Sequence, residues 1–213
     1  MAQLFRLNGL INNLRLRKIL SDLLNVVFTF KYYVTGNKPT TKIKRRFLSQ
    51  HGRLFSCTVV VESGTYLGQS TKYFSKQFTK VFSVEISPKL FEFSQKRLTK
   101  IKNVFLLQGD SVDQLPKIIS YLDQPTIFYL DAHASGGVTH QGLEPSPVKK
   151  ELDIISNFRF LNRSIIALDD ARGFDGSNSY PSFVEICKWA ADNKLLQPYI
   201  HLDMIIIEPV TKL

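Results

Sequence analysis

The stretch from Val59 to Ser70, V-V-V-E-S-G-T-Y-L-G-Q-S, constrains the fold more than any other part of the chain. Three β-branched apolar residues lead to a carboxylate, Glu62. A turn bounded by Gly64 and Gly68 follows, and then a segment with Tyr73, Phe74 and Phe78 on one face. This order predicts a buried strand, a tight turn and a helix. In a parallel α/β sheet such a turn lies at the carboxyl end of its strand, where ligands bind. The spacing is G-x-x-x-G, not the G-x-G-x-x-G of a dinucleotide fold, and no G-K-S/T follows, which argues against a phosphate-cradling loop. Taken alone, the stretch also fits a plain strand-to-helix turn.

The pattern repeats down the chain. Apolar runs at about 58–62, 81–86, 104–108, 126–130 and 164–168 predict five strands. Amphipathic segments at about 67–77, 87–98, 111–121, 147–157 and 180–192 predict the helices after them, with Ser87 capping and Pro88 opening the second. The tail alternates over 199–202 and 204–208, which predicts two short strands. Strands separated by helices imply an α/β, doubly wound, mostly parallel seven-stranded sheet. The 213 residues suffice for one such domain.

The net charge of +10 is unevenly placed. Residues 1–53 hold eleven Lys and Arg against one acid, Asp22, and the remainder is neutral. The expected organisation is therefore a basic helical N-terminal arm or cap at 1–53 and an α/β body at 54–213. Within the arm, leucines recur at helical spacing over residues 1–34, and residues 35–50 read as a linker with a charge run and a short helix. Such an arm can be a surface for an anionic membrane or nucleic acid, or a helical cap over the active site. Cys57 and Cys187 form no C-x-x-C and read as free thiols of a reducing compartment. No secretory signal pattern opens the chain, and the most apolar early stretch is too short and polar to span a bilayer, so a cytoplasmic location is expected.

Each strand ends on a polar group: Glu62, Glu85, Asp110 with Ser111, Asp131 with His133, and Asp169 with Asp170. Apolar strands that all terminate in carboxylates build a polar crevice along one sheet edge. V-V-V-E-S-G-T-Y-L-G-Q-S, V-F-S-V-E-I-S, L-L-Q-G-D-S and F-Y-L-D-A-H, in that order, resemble the successive motifs of class I S-adenosylmethionine-dependent methyltransferases. The resemblance covers about residues 55–175 and is nearest to the metal-dependent O-methyltransferases of the catechol and macrolide-sugar types. It implies that Glu62, Gly64, Thr65, Tyr66, Gly68 and Ser70 hold the methionine part of the cofactor. Glu85 would hold the ribose hydroxyls, and Asp110 with Ser111 would lie against the adenine. The residues suit those roles. Glu85 offers two acceptor oxygens to two hydroxyl donors, and an acidic crevice suits a positive sulfonium.

The resemblance also implies that Asp131, Asp169 and Asp170 hold a divalent metal, with Asp131 shared between the cofactor and catalytic sides. Three hard carboxylates suit Mg²⁺, which would orient a substrate hydroxyl and lower its pKa. The alternative is that Asp169 and Asp170 cap the strand-end loop and pair with Arg172. His133 stands near the family's base position and titrates in the right range, although the family more often has an acid or lysine there.

These readings lead to methyl transfer onto a hydroxyl of a small acceptor, such as a sugar or polyol. The absence of an N-P-P-Y-like stretch after the fourth strand argues against an amino-methylating nucleic-acid enzyme of that kind, so nucleic acid is an unlikely partner. The alternative is a methyltransferase-like binding module that works through its arm. A nicotinamide oxidoreductase is disfavoured by the glycine spacing.

Overall fold

The computed structural model describes residues 39–131, 146–177 and 180–210. His133, the helices expected over 1–34 and most of the loop expected at 132–146 lie outside the described residues.

In chain order the elements are α1 (Thr41–Leu54), β1 (Val59–Ser63), α2 (Gln69–Phe74), β2 (Lys80–Glu85), α3 (Pro88–Leu98), β3 (Val104–Gln108), α4 (Ser111–Ser120), β4 (Thr126–Leu130), α5 (Val148–Ser156), β5 (Ile165–Asp169), α6 (Phe183–Asp192), β6 (Tyr199–His201) and β7 (Met204–Ile207). They build one seven-stranded sheet in the order β3-β2-β1-β4-β5-β7-β6. The strands β1 to β5 pair in parallel, whereas β7 runs antiparallel to both β5 and β6.

Residues of β1, β4 and β5 are buried on both faces, which is why these strands read as unbroken apolar runs. Side chains alternate across a strand, so the core divides in two. On one face Val59, Val61, Phe128, Leu130, Ile166 and Leu168 pack beneath α4, α5 and α6. On the other, Val60, Ile127, Tyr129, Ile165 and Ala167 meet Phe47 and Leu48 of α1 and Phe74 of α2. The helix α1, expected within the arm, thus covers one face of the sheet. Gly52 lets it approach closely, since a Cβ there would lie 2.7 Å from Ile127 Cδ1.

The helix after the glycine turn is shorter than its periodicity predicts, ending at Phe74 rather than near Gln77. Ser87 caps α3 as expected, accepting from Leu90 N–H. The last helix starts at Phe183 rather than near Tyr180, where Ser182 and Glu185 form a reciprocal capping box. After it the chain returns through β6 and a two-residue turn, Leu202–Asp203, both at positive φ. That turn sets β7 against β5 with Met204 opposite Asp169, and so brings Asp203 to the carboxyl edge of the sheet.

Candidate active site

The carboxyl ends of β1, β2, β4 and β5 converge on one edge, because their parallel register aligns Ser63 with Val84 and with Leu130. Glu62 is 1% exposed, just below that edge. Its Oε2 accepts from Thr71 Oγ1 at 2.6 Å and from Ser83 Oγ at 2.8 Å. Burial pushes its pKa up to about 7, against the pull of those two hydroxyls, and the charge of Asp131 adds to the rise.

The turn after β1 is fastened to β2. Gly64 and Thr65 donate their N–H groups to Val84 O at 2.9 and 3.0 Å, and Thr65 Oγ1 lies 2.7 Å from Ser83 Oγ. Tyr66, at positive φ, donates its N–H to Glu85 Oε2 at 2.7 Å. The other oxygen of Glu85 accepts from Ser87 N–H at 2.9 Å. Glu85 therefore ties the glycine turn to the start of α3 and keeps lone pairs for further donors. Gly68 caps α2 at φ +68, and a Cβ there would meet Leu98 Cδ1 at 2.8 Å, so a larger residue would be strained and would have to push Leu98 aside. Ser70 lies half-buried in the first turn of α2. Beside Glu85, Ile86 and Tyr66 expose apolar surface. Asp110 caps α4, accepting from Val112 N–H at 2.9 Å, and Ser111 is buried at the first turn of that helix.

No family model matches the sequence, and no curated protein does either. Solved structures do match the fold. An O-methyltransferase from Bacillus cereus in complex with SAH superposes with a TM-score of 0.53 at 17% identity, over 91% of this chain and 96% of that one. The SAH-bound Podospora anserina methyltransferase PaMTH1 gives 0.56 at 15% identity, over 81% and 80%. The O-methyltransferase TomG from Streptomyces achromogenes, involved in tomaymycin synthesis and in complex with SAM, gives 0.53 at 15%, over 79% of each chain. This is the class I methyltransferase fold.

Within the methyltransferase fold, Glu62, Gly64, Thr65, Tyr66, Gly68, Ser70 and Glu85 form one wall at the ends of β1 and β2. Asp110 and Ser111 stand at the end of β3. Asp131 follows β4 directly, its N–H bonded to Ser63 O at 3.0 Å, which places it beside the glycine turn.

The ends of β4 and β5 hold residues that sequence reasoning did not single out. Lys44 of α1 is buried, and its ammonium donates to Asp169 Oδ1 and lies 3.7 Å from Asp170 Oδ1. Tyr129 donates its O–H to Asp169 Oδ2 at 2.5 Å, and Asp170 N–H donates to Oδ1 at 2.8 Å. Arg172 pairs with Asp170 Oδ1 at 2.8 Å and bonds Asp203 through its other nitrogen. Asp170 itself sits in the left-handed region, at φ +55.

Asp169 and Asp170, two of the three acids expected to hold Mg²⁺ with Asp131, do not fit a resident ion in this arrangement. Both oxygens of Asp169 already accept from protein donors, and two cations, Lys44 and Arg172, share Asp170 Oδ1. Among the described residues no three His, Cys, Asp or Glu side chains are grouped to hold a metal. The pairing of Asp170 with Arg172 is the alternative legible in the sequence, whereas Lys44 lay unmarked in the arm's charge run.

A second buried acid was also missed. Glu151 of α5 is fully buried, and among the described residues neither carboxyl oxygen has a hydrogen-bond partner. Burial raises its pKa. The nearby hydroxyls of Ser111 and Ser63 pull the other way without closing hydrogen bonds of good geometry.

Proposed function

We propose that this protein transfers a methyl group from S-adenosylmethionine to an oxygen of a small hydroxylated acceptor, of the sugar or polyol kind. The observation that carries the cofactor half is the Tyr66–Glu85 bond, which holds a carboxylate at the end of β2 against the glycine turn at the end of β1. Glu85 would take the ribose hydroxyls, and the exposed face of Ile86 beside it suits a flat base. Glu62 and the turn from Gly64 to Gly68 would take the methionine end, with Thr65, Tyr66 and Ser70. Asp110 and Ser111 would face the adenine. When bound, the cofactor supplies a methyl group on a positively charged sulfur. The acceptor half is supported by the likeness in fold to the Bacillus cereus and Streptomyces achromogenes proteins, both O-methyltransferases.

The chain's own contribution is alignment and charge. The rigid edge holds donors and acceptors at fixed positions, and such positioning is the largest source of rate in a transfer of this kind. Asp131 lies between the two halves of the crevice, next to Ser63, and His133 two residues on is the proposed base for the acceptor hydroxyl. Magnesium does not enter this scheme, because Asp169 and Asp170, two of the three carboxylates that would bind it, are engaged by Lys44, Tyr129 and Arg172.

Part of the arm's positive charge is engaged by the rest of the fold, in the interior and at the surface. Lys44 is buried against acids, Arg45 lies over the Tyr73 ring at 5.4 Å, and Arg53 bonds Gln77. This favours a cap over the crevice rather than a polyanion-binding surface for the described part of the arm.

The test is calorimetric titration with S-adenosylhomocysteine, followed by mass spectrometry of hydroxylated acceptors incubated with S-adenosylmethionine. Saturable binding and a gain of one methyl on an acceptor oxygen are expected. A folded protein that binds neither nucleoside would overturn the reading.

A further inference from the structure

We infer that Lys44 serves as a built-in cation at the acceptor side of the crevice, in the position where the acids Asp169 and Asp170 would otherwise gather a divalent metal. The turnover consequence, transfer without a metal, rests on the reaction proposed above; the exclusion of metal from this site does not.

Three observations combine. First, Lys44 is delivered by a fixed element. On α1, residues 44, 47, 48 and 51 share one helical face, and Lys44, Phe47, Leu48 and His51 are all buried. Phe47 and Leu48 belong to the core under the sheet, and Gly52 rests on Ile127, so α1 cannot withdraw without opening that core. Secondly, the ammonium is committed. It donates to Asp169 Oδ1 and approaches Asp170 Oδ1, with only 7% of the lysine side chain exposed. A buried ammonium stripped of these partners would be strongly disfavoured. Thirdly, the remaining oxygen of Asp169 is filled by the phenol of Tyr129, and Arg172 pairs with the same Asp170 oxygen that Lys44 approaches.

A Mg²⁺ ion needs near-octahedral oxygen ligands at about 2.0–2.1 Å. To reach Asp169 it would have to displace Lys44 and then sit against the displaced positive charge. The ammonium also relieves the like-charge repulsion among the strand-end carboxylates. Lys44 is thus a positioning residue: its contacts hold the Asp169 and Asp170 carboxylates in place at the ends of the strands.

The experiment uses the full chain and Mn²⁺ alone, followed by electron paramagnetic resonance of the free ion, with calorimetry of Mg²⁺ in parallel. Wild type and Lys44→Arg are expected to take up no stoichiometric Mn²⁺. Lys44→Ala should gain a site at least tenfold tighter than any wild-type binding, and adding Asp169→Asn should remove it. Methyl transfer by wild type should be unchanged in excess chelator. Stoichiometric Mn²⁺ uptake by wild type that is lost in Asp169→Asn overturns the inference, whether or not Lys44→Ala folds. A folded Lys44→Ala protein with no gain of Mn²⁺ binding overturns it as well. Loss of nucleoside binding in wild type would instead count against the proposed function and leave the metal result intact.

Discussion

Tyr129 and Asp169, on the adjacent parallel strands β4 and β5, are joined by a buried phenol-to-carboxylate hydrogen bond of 2.5 Å. The register pairs Tyr129 with Ala167, so the phenol reaches two residues along the neighbouring strand. Burial, reinforced by the charge of Asp169, pushes the phenol's pKa well above its ordinary value, and the group stays a donor at all working pH values. Tyr129→Phe leaves Asp169 Oδ2 without that donor. A loss of about 1.5–3 kcal/mol is expected, the scale of a hydrogen bond to a charged group. Urea denaturation measures it, and an unchanged midpoint would show that Asp169 finds another donor.

Glu85 bonds Tyr66 N–H and Ser87 N–H. Replacing it by alanine should both loosen the glycine turn and remove the proposed ribose acceptor. S-adenosylhomocysteine binding should weaken by about 1.5–3 kcal/mol. Calorimetry on a folded Glu85→Ala protein that returned wild-type affinity would remove this residue from the cofactor site.

For Glu62 the sign of the pH effect follows from its pKa of about 7 in the folded chain. An unfolded glutamate loses its proton near 4.5, so the folded state holds a proton that the unfolded state releases. Stability is therefore expected to fall as pH rises from about 4.5 to 7, and this slope should be missing in Glu62→Gln. Contact with the amine of S-adenosylmethionine, as proposed for Glu62, would favour the carboxylate. Nucleoside affinity should accordingly rise between pH 6 and 8, with proton release visible as a buffer-dependent heat. Identical heats in buffers of different ionisation enthalpy would mean that Glu62 does not ionise on binding.

Glu151 is a buried acid whose two oxygens lack hydrogen-bond partners among the described residues. Its raised pKa likewise makes ionisation a burden that grows as pH climbs above the ordinary glutamate range. Glu151→Met, close in volume, should stabilise the protein by roughly 1–3 kcal/mol at pH 8, the scale of an unsatisfied buried polar group. The gain should shrink toward pH 4. Destabilisation at pH 8 would show that this carboxylate has a partner in solution.

Much of the architecture is legible in the chain because it rests on local physics. The run Thr126–Leu130 has the boundaries its apolar pattern predicts, as does Val104–Gln108. Ser87 followed by Pro88 marks the start of α3 through a cap that needs only neighbouring residues. The Ser182–Glu185 box was equally local, and the S-x-x-E spacing was there to be read. Apolar runs that end in acids place Glu62, Glu85, Asp110, Asp131 and Asp169 on one edge from the sequence, because parallel strands that alternate with helices share a carboxyl edge.

What the sequence by itself determined, then, is the set of elements and the acidic edge they share. Tertiary structure alone decided what those acids do. Lys44 and Asp169 are 125 residues apart, and nothing in a charge run says which lysine turns inward. That choice follows from the burial of Phe47 and Leu48, which rotates one face of α1 onto the sheet and carries Lys44 with it. The insertion of β7 between β5 and β6 is decided in the same way, and it brings Asp203 to Arg172. Periodicity encodes which face is buried, whereas the partner met across that face depends on packing between segments distant in sequence.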